Sequence, residues 1–372
     1  MRQPYSDASP QLRIRYDVPG IGLDYHKRYS QVNALDEQGQ KRVSARLPND
    51  FSALQAFFHS LGEPCQAVLE AGWNWGLMYD WLEQLHNVTA VQLAHPYRTR
   101  AIATAQVKTD AIDAHTLAQL LRAGLIPRAH IPSPDTRRLR ELLRQRLFLV
   151  RLRTMLKNRI HTRLDRYHVP RPTVSDLFGK RGRQYLSRVL LPPGAQELLA
   201  QDLRLLERLS AEIAQTEQWL QGALGRDRRV EVLRTVPGLG RLLAAVIALE
   251  IDVIRRFARP AKLVAYAGLA PSTHASGGRI AHGRLLKQSN KWLRWALVEA
   301  AWVAVRHDPY FRSHFGRRCR AKGPQTAIVA VARRLAEVIW HVLAEDRPYE
   351  VRPSASAGQK AKPIPPAALV QA

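Results

Sequence analysis

Four acidic side chains occupy positions from which they could hold a metal ion. Asp110 and Asp113 lie three residues apart in the stretch Lys108 to Ala114, so on a helix they share one face. Like charges at this spacing repel each other, and a divalent cation relieves the repulsion because hard cations bind carboxylate oxygens. Asp24 and Glu70 each follow a short apolar run further upstream. We therefore predict that the four acids form one metal site that acts on nucleic acid.

The charge balance favours the same class of substrate. Lys and Arg total 57 against 31 Asp and Glu, which gives a formal net charge of +26 over 372 residues. Such an excess favours a polyanionic partner. A membrane surface is the competing partner, but the sequence shows neither an apolar run long enough to cross a bilayer nor a signal peptide. Two cysteines without metal or pairing spacing, Cys65 and Cys319, predict thiols in a reducing compartment and a cytoplasmic protein.

The elements that must position the acids are visible in the first third of the chain. Hydrophobic patterning predicts strands over residues 20–24, 29–35, 41–47, 66–70 and 88–93, with helices opening after Pro48 and Gly72. Strands come first as a meander and then alternate with helices, which predicts a mixed α/β sheet covered by helices. Asp24 then lies on a central strand and Glu70 at a strand end. This arrangement resembles the RNase H-like fold of RuvC-type junction resolvases, in which four acids hold two metal ions.

A long basic helix is predicted to follow. Residues 136–168 carry eleven Arg or Lys against two acids, around an apolar stripe at helical spacing. The plain interpretation is a solvated charged face, and contact with phosphate backbones is the one we favour. The basic residues expected to contact nucleic acid here are Arg144, Arg151, Lys157 and Arg163.

Residues 195–222 repeat Leu or Ile every seven positions, which predicts a coiled-coil-like seam. This seam could pack on the basic helix of the same chain or pair two subunits. Further on, Pro237-Gly238-Leu239-Gly240 between two apolar helices is typical of a helix-hairpin-helix, in which the backbone N–H groups of Gly238 and Gly240 would face a phosphate. Any tight turn between helices could also use these glycines.

A segment rich in small residues and hydroxyls runs from Ser272 to Gly278. Basic residues surround it in sequence: Arg279, Arg284, Lys287, Lys291 and Arg294. A hydroxyl beside glycines in such a cationic setting could act as a nucleophile on phosphate if another group activates it. The alternative is a flexible polar loop that only contacts phosphates.

Two separate regions carry a family resemblance. Lys108-Thr109-Asp110-x-x-Asp113-Ala114 and Gly268-Leu269-Ala270-Pro271, followed by Ser276-Gly277 and a basic Asn290-x-x-Leu-Arg segment, resemble the DEDD-type insertion-sequence transposases of the IS110/IS1111 group. The resemblance covers about residues 18–348. Members of that group usually have Gly where this chain has Ser289.

The resemblance implies a RuvC-like domain and a transposase domain that contributes a serine. Carried over by position, Asp24, Glu70, Asp110 and Asp113 would bind Mg²⁺, with Mn²⁺ as the other candidate ion. Ser276 would attack DNA and form a covalent phosphoserine, and Ser272 is the fallback nucleophile. The resemblance also implies double-stranded donor and target DNA, a noncoding guide RNA, a homo-oligomer (dimer or tetramer) and a place near the prokaryotic nucleoid.

The expected organisation has five parts: a disordered leader at 1–17, an RNase H-like domain at 18–130, a basic helical and coiled-coil arm at 131–228, a mainly helical transposase domain with the helix-hairpin-helix at 229–348, and a disordered tail at 349–372. Two alternative functions stay open. One is a RuvC-like nuclease or Holliday junction resolvase that hydrolyses with water, and the other is a nucleic-acid-binding protein without catalysis.

Overall fold

The computed structural model describes residues 18–103, 109–276, 279–286 and 288–350. The chain divides into two compact units, Met1–Ile131 and Pro132–Ala372, and each is described by itself below. The five-part division expected from the sequence is finer than this split and stays a prediction.

A five-stranded mixed sheet forms the centre of the first unit. Its strands are β1 (Gly20–Tyr25), β2 (Tyr29–Leu35), β3 (Lys41–Pro48), β4 (Cys65–Glu70) and β5 (Val88–Ala94), and its helices are α1 (Phe51–Ser60), α2 (Trp75–Gln84), α3 (Pro96–Ile102) and α4 (Asp110–Arg122). The order across the sheet is β3-β2-β1-β4-β5. β1 pairs antiparallel with β2 and parallel with β4, and β4 pairs parallel with β5. The predicted mixed α/β sheet with a central first strand is confirmed.

One glycine brings α4 against the central strand. The four consecutive residues from Gly20 to Leu23 are all buried, as expected for a strand covered on both faces. A Cβ atom at Gly22 would stand 2.0 Å from the carbonyl oxygen of Ala114, so only glycine lets the helix backbone approach this closely. The close packing carries the first turn of α4, and with it two of the predicted acids, towards the end of β1.

Local hydrogen bonds fix where α4 begins. Thr109 is the N-cap residue, and its hydroxyl accepts a hydrogen bond of 3.3 Å from the amide of Ile112. The side chain of Asn33, a buried residue of β2, donates to the carbonyl oxygen of Ala111 at 2.7 Å. Asp110 therefore starts the helix at a point that β2 holds in place.

The second unit is mainly helical. Its helices are α5 (Pro134–Arg166), α6 (Lys180–Leu186), α7 (Ala195–Leu224), α8 (Arg228–Leu233), α9 (Arg241–Ile251), α10 (Pro260–Tyr266), α11 (Lys291–His307) and α12 (Pro309–Ala344), with a 3-10 turn at Ile254–Arg256. α12 carries a kink at Gly323. The largest apolar core is formed by the five helices α8, α9, α10, α11 and α12, together with parts of α5 and α7.

The two long helices α5 and α7 pack against each other in this unit. All four heptad-spaced residues of α7 are buried: Leu199, Leu206, Ile213 and Leu220. Leu199 and Leu206 share a cluster with Ile160 and Leu164 of α5. The seam is thus filled by α5 of the same chain for at least half of its length, and the coiled-coil assignment stays a prediction.

Ser272 to Ser276, part of the segment for which a flexible polar loop was the alternative interpretation, lies in a β-hairpin. β6 (Pro271–Ser276) and β7 (Arg279–Leu285) pair antiparallel, with Ser276 opposite Arg279. The loop interpretation was wrong because it weighed composition over pairing: two glycines between short segments are a hairpin-turn signal. Gly277 and Gly278 themselves lie outside the described residues.

The glycines of the predicted helix-hairpin-helix differ from each other. Gly238 has a φ of +88°, and a Cβ there would stand 2.2 Å from the carbonyl oxygen of Ala300 in α11. Gly240 has no heavy atom within 4 Å of its Cβ position and is the N-cap residue of α9. Gly238 therefore serves close packing on α11, whereas the backbone of Gly240 stays open.

Neither cysteine shows signs of chemistry. Cys65 is fully buried, and this burial raises the pKa of its thiol to about 12. Cys319 is half-buried, and both thiols are unpaired. None of the helices in the described part of the chain combines the length and hydropathy that crossing a bilayer requires.

Candidate functional site

Two of the predicted acids meet at a histidine that the sequence analysis did not select. Asp24, near the end of β1, and Asp110, at the start of α4, both approach Nε2 of His26, at 3.0 and 3.2 Å. One donor atom from each of the three side chains falls within 4.8 Å of the others, a spacing that suits ligands of a single ion. The three side chains are half-buried, so the cluster is accessible from solvent.

Tyr29 holds Asp110 from the neighbouring strand. Its hydroxyl donates a hydrogen bond of 2.7 Å to Oδ2 of Asp110, and its ring lies 5.0 Å from that of His26. The guanidinium of Arg46, on β3, stacks 3.5 Å from the centre of the Tyr29 ring. Strands β2 and β3 thus position one carboxylate of the cluster.

The pKa values of the two carboxyl groups, Asp24 and Asp110, are shifted in opposite directions. Burial raises the pKa of Asp24, and the charges of Asp110 and Asp113 raise it further, against the lowering effect of His26. The hydrogen bond from Tyr29 is the main cause that lowers the pKa of Asp110, with His26 adding to it. Asp110 is therefore held ionised, whereas Asp24 is a crowded carboxylate whose charge lacks sufficient compensation.

Asp113 and Glu70 have different places in the site. Asp113 lies in the first turn of α4, close enough for its charge to act on Asp24. Glu70 is the last residue of β4, one residue beyond the paired positions Leu23 and Leu69, and its side chain is exposed. Among the described residues the tight group comprises only Asp24, His26 and Asp110, so the complete tetrad stays a prediction.

The donor set fits a divalent cation. Carboxylate oxygens are the preferred ligands of Mg²⁺ and Mn²⁺, and Asp24 and Asp110 supply them here beside the imidazole of His26. The positive end of α4 also favours negative charge in its first turn. The cluster therefore combines carboxylates held close together with a surplus of negative charge that a cation would neutralise.

Sequence reasoning missed His26, Tyr29 and His95. His95 follows β5, and its Nδ1 is buried without a hydrogen-bond partner in the described structure. Burial lowers the pKa of His95, and the nearby Arg98 adds to this, so its imidazole is neutral at pH 7. The available signal was position: His26 and His95 each follow the end of a core strand whose carboxyl end lies at the acidic edge.

The candidate serines lie in the hairpin of the second unit. Ser276 is the last residue of β6, and its side chain is outside the described part of the structure. Ser272 is half-buried, and a Cβ at Gly283 would stand 2.4 Å from its Oγ. The hydroxyl of Ser272 therefore lies against the opposite strand of the hairpin.

Three of the basic residues predicted to contact nucleic acid are engaged within the chain. Arg144 donates to buried Glu250 at 2.8 Å, and Arg163 donates to buried Asp202 at 3.0 Å. Arg294 donates to the carbonyl oxygen of Leu286 at 2.6 Å. These three guanidinium groups stabilise the second unit, and their contact with nucleic acid stays a prediction.

Ser289, the position at which the related pattern has glycine, has a defined contact. Its Oγ accepts a hydrogen bond of 2.5 Å from Arg294, which also donates to the carbonyl oxygen of Ala267 at 3.2 Å. The adjacent Asn290 caps α11 and donates to Glu250 at 2.8 Å. Ser289 therefore helps to fix the connection from β7 to α11.

Other predicted nucleic-acid contacts lie open to solvent. Arg151, Arg284 and Lys291 are exposed, and Lys157 is half-buried over the ring of Phe178. Lys287 is outside the described residues, as is the side chain of Arg279.

Further arginines are used at the end of α9. Arg140, Arg256 and Arg229 donate to the carbonyl oxygens of Leu249, Ile251 and Asp252 at 2.8, 2.9 and 2.9 Å. Cations at a helix C-terminus satisfy its free carbonyl groups and oppose its dipole. Part of the basic excess is therefore internal to the second unit.

Comparisons with known proteins give two family matches and several similar transposases. A DEDD transposase model of the IS110 type matches residues 21–169, and the model described as "Transposase IS116/IS110/IS902 family" matches residues 230–316. A probable family 20 transposase of Pseudomonas aeruginosa is 27% identical over 88% of this chain and 98% of its own length. The transposase for insertion sequence element IS1328 of Yersinia enterocolitica is 26% identical over 88% of this chain and 97% of its own length. The transposase for insertion sequence element IS1111A of Coxiella burnetii is 25% identical over 91% of this chain and 93% of its own length.

The mixed sheet, its acidic cluster and these matches define a DEDD-type transposase, an enzyme that cuts and rejoins DNA. The two family models together span well over half of the chain, and the chain belongs to the IS110 family of insertion-sequence transposases.

Proposed function

We propose that Asp24, Glu70, Asp110 and Asp113 hold Mg²⁺, or Mn²⁺ in its place, and that this site cuts the DNA of the insertion sequence. The observation that carries the proposal is the meeting of Asp24 and Asp110 around one histidine nitrogen. Two carboxylates forced together by backbone packing are unfavourable without a cation. A bound divalent ion would supply charge neutralisation at the cut phosphate.

The residues of the site divide the remaining work. Asp110 is kept ionised by Tyr29 and is the anchor ligand, whereas Asp24 gains most from a cation because its carboxylate is half-buried and lies close to other negative charges. Glu70 offers an exposed carboxylate at the end of β4, the strand next to β1. This carboxylate could bind a metal ion that enters together with the DNA phosphate.

We further propose that Ser276 is the nucleophile and that Ser272 is its fallback. The Oγ of the serine loses its proton and forms a bond to phosphorus as one P–O ester bond of the DNA backbone breaks. The released deoxyribose oxygen takes up a proton. The phosphoserine keeps an ester bond that a second strand can attack in turn, so strands are exchanged without hydrolysis.

The nucleic-acid interface is proposed to include the exposed residues Arg151, Arg284 and Lys291 and the open turn at Gly240. A noncoding guide RNA and a homo-oligomeric assembly are parts of the same proposal. Their support is the basic surplus of the chain and its family membership. The helix-hairpin-helix is proposed for the α8–α9 turn, with Gly240 and not Gly238 as the phosphate-facing glycine.

Metal binding by the full-length protein tests the acidic site. Asp24→Asn and Asp110→Asn are expected to weaken Mn²⁺ binding, measured by electron paramagnetic resonance, by at least tenfold. Glu37→Gln, an exposed acid in the same unit, is the matched control and should bind as the wild type does. Unchanged Mn²⁺ binding in both aspartate variants would refute the site.

Adduct formation tests the serine. The protein is incubated with Mg²⁺, a duplex that carries the element ends and the transcripts of the flanking regions. A covalent protein–DNA adduct is expected to map to Ser276 and to vanish in Ser276→Ala but not in Ser272→Ala. Cleavage that persists in both single variants and in the double variant, with no adduct, would instead assign hydrolysis by water.

A further inference from the structure

Trp73 is the most exposed tryptophan in the described part of the chain. It is 83% exposed, whereas Trp219 is 55% exposed and Trp292 and Trp295 are 36% exposed. An indole left in water is unfavourable, and an exposed aromatic ring close to a proposed nucleic-acid site offers a face on which a base can stack. The position of Trp73 indicates what kind of molecule its ring contacts.

Trp73 lies three residues after Glu70, at the edge of the sheet where the parallel strands β1, β4 and β5 end. Asp24 stands on the neighbouring strand at the same edge. Three residues of extended chain reach about 10 Å at most, and consecutive stacked bases are about 3.4 Å apart. The indole is therefore within a few base steps of a phosphate held at Glu70.

The short loop that carries Trp73 is anchored on both sides. The amide of Ala71 donates to the carbonyl oxygen of Ala94 at 2.9 Å, and the side chain of Asn74 is hydrogen-bonded to Tyr25. Trp75 is half-buried in the core of the first unit, with its ring 5.9 Å from that of Tyr79. The second tryptophan of the loop thus packs inward while the first projects outward from a fixed base.

We infer that Trp73 stacks on a nucleobase beside the phosphate that is cut and so positions the strand in the acidic site. The inference rests on the proposed metal site as the place of cleavage. An indole accepts the face of any base, so stacking fixes a strand without reading its sequence. Besides Trp73, the large apolar side chains exposed on α2 and α3, the helices that follow β4 and β5, are Leu77, Tyr97 and Ile102. A protein partner is therefore one of the outcomes that the tests below separate from base stacking.

Photocrosslinking tests the contact directly. Full-length protein is mixed, in Ca²⁺, with duplexes that carry the element ends and 5-iodouracil at successive positions. Irradiation is expected to attach the DNA to the peptide that contains Trp73, only for labels within a few bases of the cut. The crosslink should persist in Trp73→Phe and disappear in Trp73→Ala. Crosslinks that map elsewhere for every label would overturn the inference.

Binding measurements separate this inference from the metal site. Trp73→Ala is expected to weaken binding of the same DNA roughly 5- to 150-fold, which is the effect of losing one aromatic stack. Trp73→Phe should stay within a few-fold of the wild type, and Trp219→Ala, an exposed tryptophan of α7, is the matched control. Mn²⁺ affinity should not change in any of them.

Each remaining outcome has one meaning. Unchanged DNA affinity in Trp73→Ala with intact Mn²⁺ binding overturns the stacking but leaves the metal site standing. No Mn²⁺ binding by the wild type overturns the metal site itself. If Trp73→Ala changes the sedimentation of the DNA-free protein while the photocrosslink is absent from the wild type, the ring is a protein contact and the inference is wrong.

Discussion

At the scale of single residues, the acidic site depends on groups that are not themselves acids. The hydroxyl of Tyr29 and the imidazole of His26 hold Asp110 ionised and close to Asp24. Such neighbours set ligand orientation and affinity as much as the ligands do.

Tyr29→Phe is expected to raise the pKa of Asp110, because the variant loses the hydrogen bond that stabilises the carboxylate. Carbon-detected NMR titration of the metal-free protein measures this pKa. Mn²⁺ affinity should fall by about tenfold, since removing an outer partner of a ligand typically costs 10–100-fold. The control is Tyr79→Phe, which removes a hydroxyl bonded to Glu83 at 2.8 Å in the same unit and should affect neither quantity.

Asp24→Asn is expected to stabilise the metal-free protein at neutral pH. Burial and like charges raise the pKa of Asp24 in the folded state above its unfolded value, so its ionisation destabilises the fold, and wild-type stability rises as pH falls through the folded pKa. The melting temperature at pH 7 should therefore be higher in the variant. Excess Mn²⁺ should raise the melting temperature of the wild type but not of the variant. A variant that melts lower without metal would contradict this balance.

At the scale of elements, the order of strands and the amphipathic helices could be predicted because each depends on local pattern. Ile21 and Leu23 mark β1, and Asp50 marks the start of α1. The meeting of His26 with Asp110 could not be predicted, because it depends on how α4 crosses the sheet. The β6–β7 hairpin was missed although its Gly277-Gly278 turn signal was present in the sequence.

Gly238→Ala is expected to destabilise the second unit by roughly 2–5 kcal/mol. The substitution combines a positive φ, which disfavours a side chain by about 1–2 kcal/mol, with a Cβ pressed against the α11 backbone, a type of overpacking that costs about 1–3 kcal/mol. Gly240→Ala should cost less, roughly 0.5–1 kcal/mol, because Gly is preferred over Ala at an N-cap position but no backbone atom opposes a Cβ there. Urea denaturation measures both, and equal effects would show that the turn acts as one unit.

The basic helix α5 contains arginines with two different roles. Arg163→Ala should destabilise the protein by about 1–3 kcal/mol, because it removes a partner of the buried Asp202 carboxylate, while DNA affinity of the folded protein stays near that of the wild type. Arg151→Ala should leave stability within about 0.5 kcal/mol and reduce the salt dependence of DNA binding by about one unit of slope. Denaturation measures the stability of each variant, and fluorescence anisotropy measures its DNA affinity. If Arg151→Ala lost stability and Arg163→Ala lost DNA affinity, the roles given to the two arginines would be wrong.

At the scale of the whole molecule, the net charge of +26 overstates the charge offered to DNA. Arg140, Arg229 and Arg256 bind carbonyl groups at the end of α9, and Arg144 and Arg163 bind buried acids. Composition correctly predicted a polyanionic partner. It could not predict which cations face that partner, because their acidic and carbonyl partners come from distant parts of the sequence.

Binding to duplex DNA is nevertheless expected to depend steeply on salt. If at least about six phosphates are contacted, affinity should fall on the order of 1,000-fold between roughly 50 and 200 mM salt. Fluorescence anisotropy of a labelled duplex measures the slope of log affinity against log salt. A slope shallower than about −2 would mean that most of the exposed cations do not reach the backbone.

Gly22 gives the acidic site one more property. Since bare backbone meets backbone where α4 crosses β1, the separation of the helix and the strand that carry Asp110 and Asp24 is set by main-chain dimensions. In the proposed metal site, the room left for an ion would then depend in part on a residue without any side-chain donor atom, through the methyl group that it lacks.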